Sequence, residues 1–189
     1  MYFYRTLMMP EEITLVTGNK HKLAEWRRMF SANVKLQSVD IDLEEIQSLD
    51  MQKIVRDKAK RAYDKLQRPV IVEDISAGID HLGGLPGPFI KFFEEKLGKE
   101  ALYIFAGKEA NATVACAVAY YDGKTMLLGE GVVRGKVVPA RGKNGFGFDS
   151  VFVPNGQSKT YAEMTHEEKD AISHRHLAIE DLTTKLKNL

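Results

Sequence analysis

Two adjacent carboxylates, Glu73 and Asp74, follow directly on the apolar, β-branched run Val70-Ile71-Val72, and the glycine- and proline-rich segment GGLPGPF (Gly83 to Phe89) comes soon after. A buried strand that delivers charge in this way makes the carboxylates costly, on the order of several kcal/mol each if unpaired. A positive partner, a divalent cation or a lysine, is therefore expected beside them. Such a pair suits proton transfer or metal binding; the plainer reading is that Asp74 caps the loop that follows.

Three further groups bear on the same chemistry. Glu44 and Glu45 in DIDLEEIQ supply carboxylates from a second loop, and carboxylates from two loops together with phosphate oxygens are how Mg²⁺ is commonly held. Glu44 reads equally well as solvent-facing. The turn TGNKHK (Thr17 to Lys22) offers a hydroxyl, an amide, two lysines and a helix start, which attracts phosphate through its amides and dipole. Its spacing is not that of a Walker loop, so a plain strand-to-helix turn stays open. Cations also cluster at Lys58, Lys60 and Arg61, and at Arg134, Lys136, Arg141 and Lys143, where solvated faces are the alternative.

At the other end of the chain, GKNGFGFDSVF places Phe146 and Phe148 among glycines. A nucleobase stacked on such a ring gains roughly 1–3 kcal/mol, although two core-filling phenylalanines fit the same pattern. In THEEKDAISHR, Lys169 and Ser173 share a face if one helix runs through them, with His174 and Arg175 directly after. A solvated helix end explains this group too.

The elements that must position these residues follow from periodicity. Ile13 to Val16 reads as a buried strand that turns at Gly18 and Asn19 into a helix with Leu23, Trp26 and Phe30 on one face. A strand at Lys35 to Val39, a helix from Met51 to Leu66 and a strand at Val70 to Val72 ending at the acidic pair complete an α/β half, with the first and third strands as parallel neighbours. A short helix near Gly98 to Phe105 precedes Thr113 to Tyr121 and Met126 to Val138, an antiparallel pair joined through Asp122-Gly123. Thr165 and Glu168 form a capping box that opens a final helix.

Composition narrows the class. At 189 residues, with 44% apolar and 28% charged residues, the chain reads as a single globular domain, with residues 1–12 as an extension before the first strand. A net charge of +1 excludes the broad basic footprint of a duplex-binding protein, so no nucleic-acid partner is expected. The single cysteine, Cys116, excludes an intramolecular disulfide. No apolar run approaches the roughly 20 residues needed to span a bilayer, and a cytoplasmic protein without membrane contact is the expectation.

Taken in order, TGNKHKLAE, IDLEEIQ, RDKAKRA, VEDISAGIDHLGGLPGPFIKFF, RGKNGFGFDSVFVP and TYAEMTHEEKDAISHR resemble the inosine triphosphate pyrophosphatase, or HAM1-like, family. The resemblance implies an elongated mixed α/β sheet with flanking helices, two lobes around a nucleotide cleft, and a homodimer. It implies hydrolysis of ITP, dITP and XTP to the monophosphate and pyrophosphate with Mg²⁺. On the matching motifs, Thr17, Gly18, Asn19, Lys20 and Lys22 would cradle phosphates, Lys58 would contact the triphosphate, and Glu45 would hold the metal. Asp74 would be the general base and touch the metal. Phe146, Gly147, Phe148 and Asp149 would form the nucleoside loop, and Lys169, His174 and Arg175 would close over the base, with donors from Arg175 and His174 meeting its 6-oxo group. Two positions depart from the family: Ile75 stands where a serine or threonine usually follows the aspartate, and Phe148 where tryptophan or tyrosine is common. A nucleotide-binding sensor without catalysis, or a pyrophosphatase for other modified nucleotides, are the alternatives.

Overall fold

A computed structural model describes residues 10–30 and 34–188. Its strands are β1 (Glu12–Val16), β2 (Lys35–Val39), β3 (Val70–Ile79), β4 (Leu85–Gly87), β5 (Ala110–Tyr121), β6 (Met126–Val137) and β7 (Phe152–Pro154). Its helices are α1 (Lys20–Met29), α2 (Met51–Leu66), α3 (Ile90–Leu97), α4 (Ala101–Ala106), α5 (His166–Asp170) and α6 (His174–Lys187). Most of the extension expected at residues 1–12 lies outside the described residues, and Glu12 already belongs to β1.

The strands form one mixed sheet in the order β2-β1-β3-β5-β6-β7, with β4 paired back onto β3. β1 is parallel to β2 along its whole length and parallel to β3 only at Thr14↔Val70 and Leu15↔Ile71. β3 and β5 pair antiparallel over ten positions, from Val70↔Tyr121 to Ile79↔Ala112. β5 and β6 continue the sheet through the Asp122-Gly123 hairpin, in which Asp122 Oδ1 accepts from the Lys124 and Thr125 amides.

Two expectations change, and one helix is added. β3 does not stop at the acidic pair but runs on to Ile79, because β5 supplies a partner for every residue; the strand that ends there is its neighbour β1. The segment IKFFEEKL forms α3, which no capping side chain announces. The final helix is two helices. The capping box at Thr165 and Glu168 opens α5, which stops at Ala171, and Ser173 then caps α6 by accepting from the His176 amide, so Lys169 and Ser173 do not share a helix.

Helices cover both faces of the sheet. α2 packs Val55, Ala59 and Ala62 against Val70, Val72, Ala117 and Ala119 on one face. On the other, Trp26 of α1 and Ala178, Ile179 and Leu182 of α6 meet Ile71, Cys116 and Val118. A third cluster joins the far end of β3 and β5 to Phe148, Phe152 and Tyr161. α6 lies unusually close to β6, since a methyl on Gly131 would overlap the His174 carbonyl oxygen and the Ala178 amide nitrogen, and one on Gly129 the Ala178 carbonyl. Gly131→Ala is therefore expected to cost about 1–3 kcal/mol in thermal unfolding through overpacking, and to displace the first turn of α6.

Candidate active site

Between the point where β1 leaves β3, after Ile71, and the point where β4 joins it, at Ala77, no strand pairs with that side of β3 among the described residues. A cleft of about 1030 Å³ opens there. Glu73 and Asp74 both line it. Because side chains alternate along a strand, the two adjacent carboxylates point to opposite faces of the sheet and meet different partners.

Glu73 faces α1 and α6. It is 2% exposed, takes a bidentate pair from Arg175 (Nε to Oε2 at 3.1 Å, Nη2 to Oε1 at 3.0 Å), and accepts from the Trp26 indole at 2.6 Å. Lys22 reaches it at 3.0 Å from the first turn of α1. Burial alone would raise the Glu73 carboxyl, but Arg175, Lys22 and the indole outweigh it and hold it well below the usual range. The pairing continues inward: Arg175 Nη1 also bonds Glu25, Glu25 takes Lys169 Nζ at 2.8 Å, and Lys169 bonds Asp149 at 2.6 Å.

Asp74 faces α2 and has gentler company. Burial pushes its carboxyl up to about 6; Lys58 and Lys22 oppose that rise and the Glu45 charge adds to it. Lys58 Nζ pairs with Glu45 and lies 3.4 Å from the Glu73 carbonyl oxygen. For Glu45 the desolvation effect is outweighed by Lys58, which lowers its carboxyl. A mostly buried acid raised toward neutrality, within reach of the Lys58 and Lys22 charges, is suited to taking a proton from water.

The turn before α1 is a formed cap. Asn19 Oδ1 accepts from the amides of His21 at 2.9 Å and Lys22 at 3.1 Å, and Thr17 Oγ1 accepts from the Asn19 amide at 3.1 Å. Thr17, Gly18, Asn19 and Lys22 line the cleft, whereas Lys20 is exposed and is not part of its lining.

At the opposite end, Phe146, Gly147, Phe148 and Asp149 form a tight turn in which Asp149 Oδ2 accepts from the Phe146 amide at 2.8 Å. Lys169 Nζ and the Arg175 guanidinium lie 5.1 and 5.5 Å from the centre of the Phe146 ring. His174 is buried, and desolvation together with the Arg175 and Lys169 charges lowers its pKa, so its imidazole is neutral. Thus every residue that the resemblance assigned to the site except Lys20 lines this cleft, whereas Glu44, Lys60, Arg61, Ser173 and the cations from Arg134 to Lys143 do not. Arg175, expected to offer donors to a base, has three of its nitrogens engaged by Glu73 and Glu25 instead.

Four participants were not singled out from sequence. His21 stacks on Phe146 at 5.1 Å between ring centres, linking α1 to the aromatic turn. Glu25 bridges Arg175 and Lys169, and its place three residues after Lys22 and directly before Trp26, on the inward edge of α1, was the available signal. Asp40, against Gly18, and Glu94, on α3, also line the cleft.

Known proteins resemble this chain in sequence and fold. Residues 13–185 match the model of the Ham1 family. The chain is 43% identical over 172 residues to the inosine triphosphate pyrophosphatase of Schizosaccharomyces pombe, covering 89% of this chain and 91% of that protein. It is 42% identical over 175 residues to the enzyme of that name from Yarrowia lipolytica, covering 90% and 93%. Among solved structures, a HAM1 protein from Coxiella burnetii superposes with a TM-score of 0.81 at 28% identity, covering 95% of this chain and 100% of that one. A nucleoside-triphosphatase / dITP/XTP pyrophosphatase from Mycobacterium abscessus superposes with a TM-score of 0.69 at 26% identity, covering 89% and 97%. With the family model spanning the sheet and both sets of cleft residues, and sequence and fold agreeing along nearly the whole chain, the protein belongs to the Ham1 family.

Proposed function

We propose that the protein hydrolyses ITP, dITP and XTP to the corresponding monophosphate and pyrophosphate, removing deaminated purine nucleotides from the pool. The observation that carries the reading is Asp74, a mostly buried carboxyl with a pKa of about 6 at the open edge of β3, beside Lys22 and Lys58. The relatives' names, inosine triphosphate pyrophosphatase and dITP/XTP pyrophosphatase, supply the substrate class.

Asp74 takes the proton of the attacking water as the bond to the pyrophosphate leaving group breaks. Lys22 and Lys58 offset charge that gathers on the leaving oxygens. The turn at Thr17 to Asn19 receives phosphates through the dipole at the start of α1 and the Lys22 charge, since the Thr17 and Asn19 side chains already hold three of its amides, and the base enters beside the Phe146 turn, where His21 stacks on the Phe146 ring. Mg²⁺ suits this donor set. Asp74 lies close enough to Glu45 to feel its charge, while no three His, Cys, Asp or Glu side chains converge as a metal cage among the described residues. One or two carboxylates completed by substrate oxygens and water are what Mg²⁺ commonly uses. When bound, the ion would neutralise phosphate charge, with Glu45 and Asp74 holding it. A cytoplasmic homodimer is part of the same reading.

Incubation with ITP, dITP, XTP, ATP and GTP in the presence of Mg²⁺, with release of pyrophosphate measured, tests the proposal. Turnover of the 6-oxopurine substrates ITP, dITP and XTP well above ATP is expected. Equal rates on ATP and ITP would remove the selectivity, and no turnover would remove the enzyme.

A further inference from the structure

Glu94 is a cleft carboxyl that the reaction above does not use. It reaches from α3 to the aromatic turn, where a methyl on Gly147 would stand 2.9 Å from its Oε1, so the carboxyl packs against the backbone between Phe146 and Phe148. Its Oε1 is buried and has no hydrogen-bond partner. The three most deeply buried acids of the site are matched: Glu73 by Arg175, Trp26 and Lys22, Glu25 by Arg175 and Lys169, Asp149 by Lys169 and the Phe146 amide. Burial and the Asp149 charge push Glu94 up to about 7, against the pull of Lys22 and the Phe148 amide. A buried carboxyl oxygen without a protein partner, at the edge of the Phe146 turn, is suited to a donor brought by a ligand.

Resting on the proposed reaction, the orientation of the substrate identifies that donor. With the triphosphate toward Thr17 to Lys22, Lys58 and Asp74, the sugar side of a purine faces the phosphates and the opposite edge, N1 and C6, enters the aromatic end. Hypoxanthine and xanthine carry a hydrogen on N1. Adenine carries a lone pair there, so the ionised carboxylate would set two acceptors against each other, and the discrimination grows as pH rises above about 7. We propose that Glu94 is a specificity-determining residue that accepts the N1–H of a 6-oxopurine. Guanine shares that hydrogen, so Glu94 sets the preference of ITP over ATP and leaves GTP to other contacts.

The test compares kcat/KM for ITP, dITP and ATP in the wild type, Glu94→Leu, Glu94→Ala and Glu94→Gln, with thermal unfolding to confirm that each is folded. Leu and Ala remove the acceptor and should each lower the ITP-to-ATP ratio about tenfold, mainly through a higher KM for ITP. Gln keeps a carbonyl oxygen and should retain part of the ratio. An unchanged ITP-to-ATP ratio in folded Leu or Ala variants overturns the assignment, as does a change confined to the ITP-to-dITP ratio, which would place the contact on the ribose. Absence of ITP turnover in the wild type would instead overturn the reaction itself.

Discussion

Asp74→Asn is expected to lower turnover of ITP by about 100-fold or more, with the KM for ITP changed only a few-fold. The amide keeps the shape and most hydrogen bonds of the carboxyl but cannot take a proton from water. The surrounding lysines and the capped turn before α1 are untouched, which is why binding should survive. Rapid-quench measurement of pyrophosphate, together with equilibrium binding of the unreacted nucleotide, separates the two effects. Full turnover in the variant would show that Asp74 is not the group that takes the proton, whereas a wild type that binds ITP without releasing pyrophosphate would return the protein to the sensor reading.

Arg175→Met should act in the opposite register, on stability first. Arg175 is 2% exposed and pairs with both Glu73 and Glu25, so its loss leaves two buried carboxylates short of their main cation. Breaking a buried pair from one side costs about 3–5 kcal/mol, which in a chain of this size lowers the melting temperature by roughly 10 °C. Glu73 gives the pH dependence. Its folded-state pKa lies below the ordinary 4.5, so its contribution is fully present above that value and is lost as pH falls through the acid range beneath it. The melting gap between wild type and variant should be widest near neutrality and narrow below pH 4.5. Adding Glu73→Gln to the variant should recover part of the loss, since it removes one stranded charge. An equal melting temperature across the three proteins would show that the network contributes nothing.

Much of this was legible in the sequence because local chemistry and tertiary role coincide. The ends of β2 and α2 follow from periodicity, and the structure adds Asp50 as the side chain that caps α2. The hairpin at Asp122-Gly123 and the capping box at Thr165 are local signals that the fold keeps. The long reach of β3 was not legible, because SAGI carries no strand signature of its own and is strand only because β5 lies beside it. The break between α5 and α6 was misjudged for a related reason: Ser173 has two uses, helix interior or cap, and only packing of α6 on Gly129 and Gly131 decides. The site residues were gathered from short motifs, but their pairing was not. Arg175 is a base donor on a motif reading and a counter-ion in three dimensions, and the difference lies in Glu25, a residue on another helix 150 positions away.

The alternation of Glu73 and Asp74 across β3 makes the division of labour a matter of parity. One carboxylate belongs to the odd face and holds the molecule together; its neighbour belongs to the even face and is left free to react. Shifting β3 by a single residue against β5 would exchange them, burying the reactive acid among Arg175 and Trp26 and turning the structural one toward Lys58. A deletion of one residue anywhere between Val70 and Glu73 is thus a far graver change than its size suggests, whereas the ten-rung ladder with β5 is what keeps the count honest. In that sense the long strand acts as a ruler for the chemistry, and its length beyond the acidic pair is the guarantee that the right carboxylate faces the water.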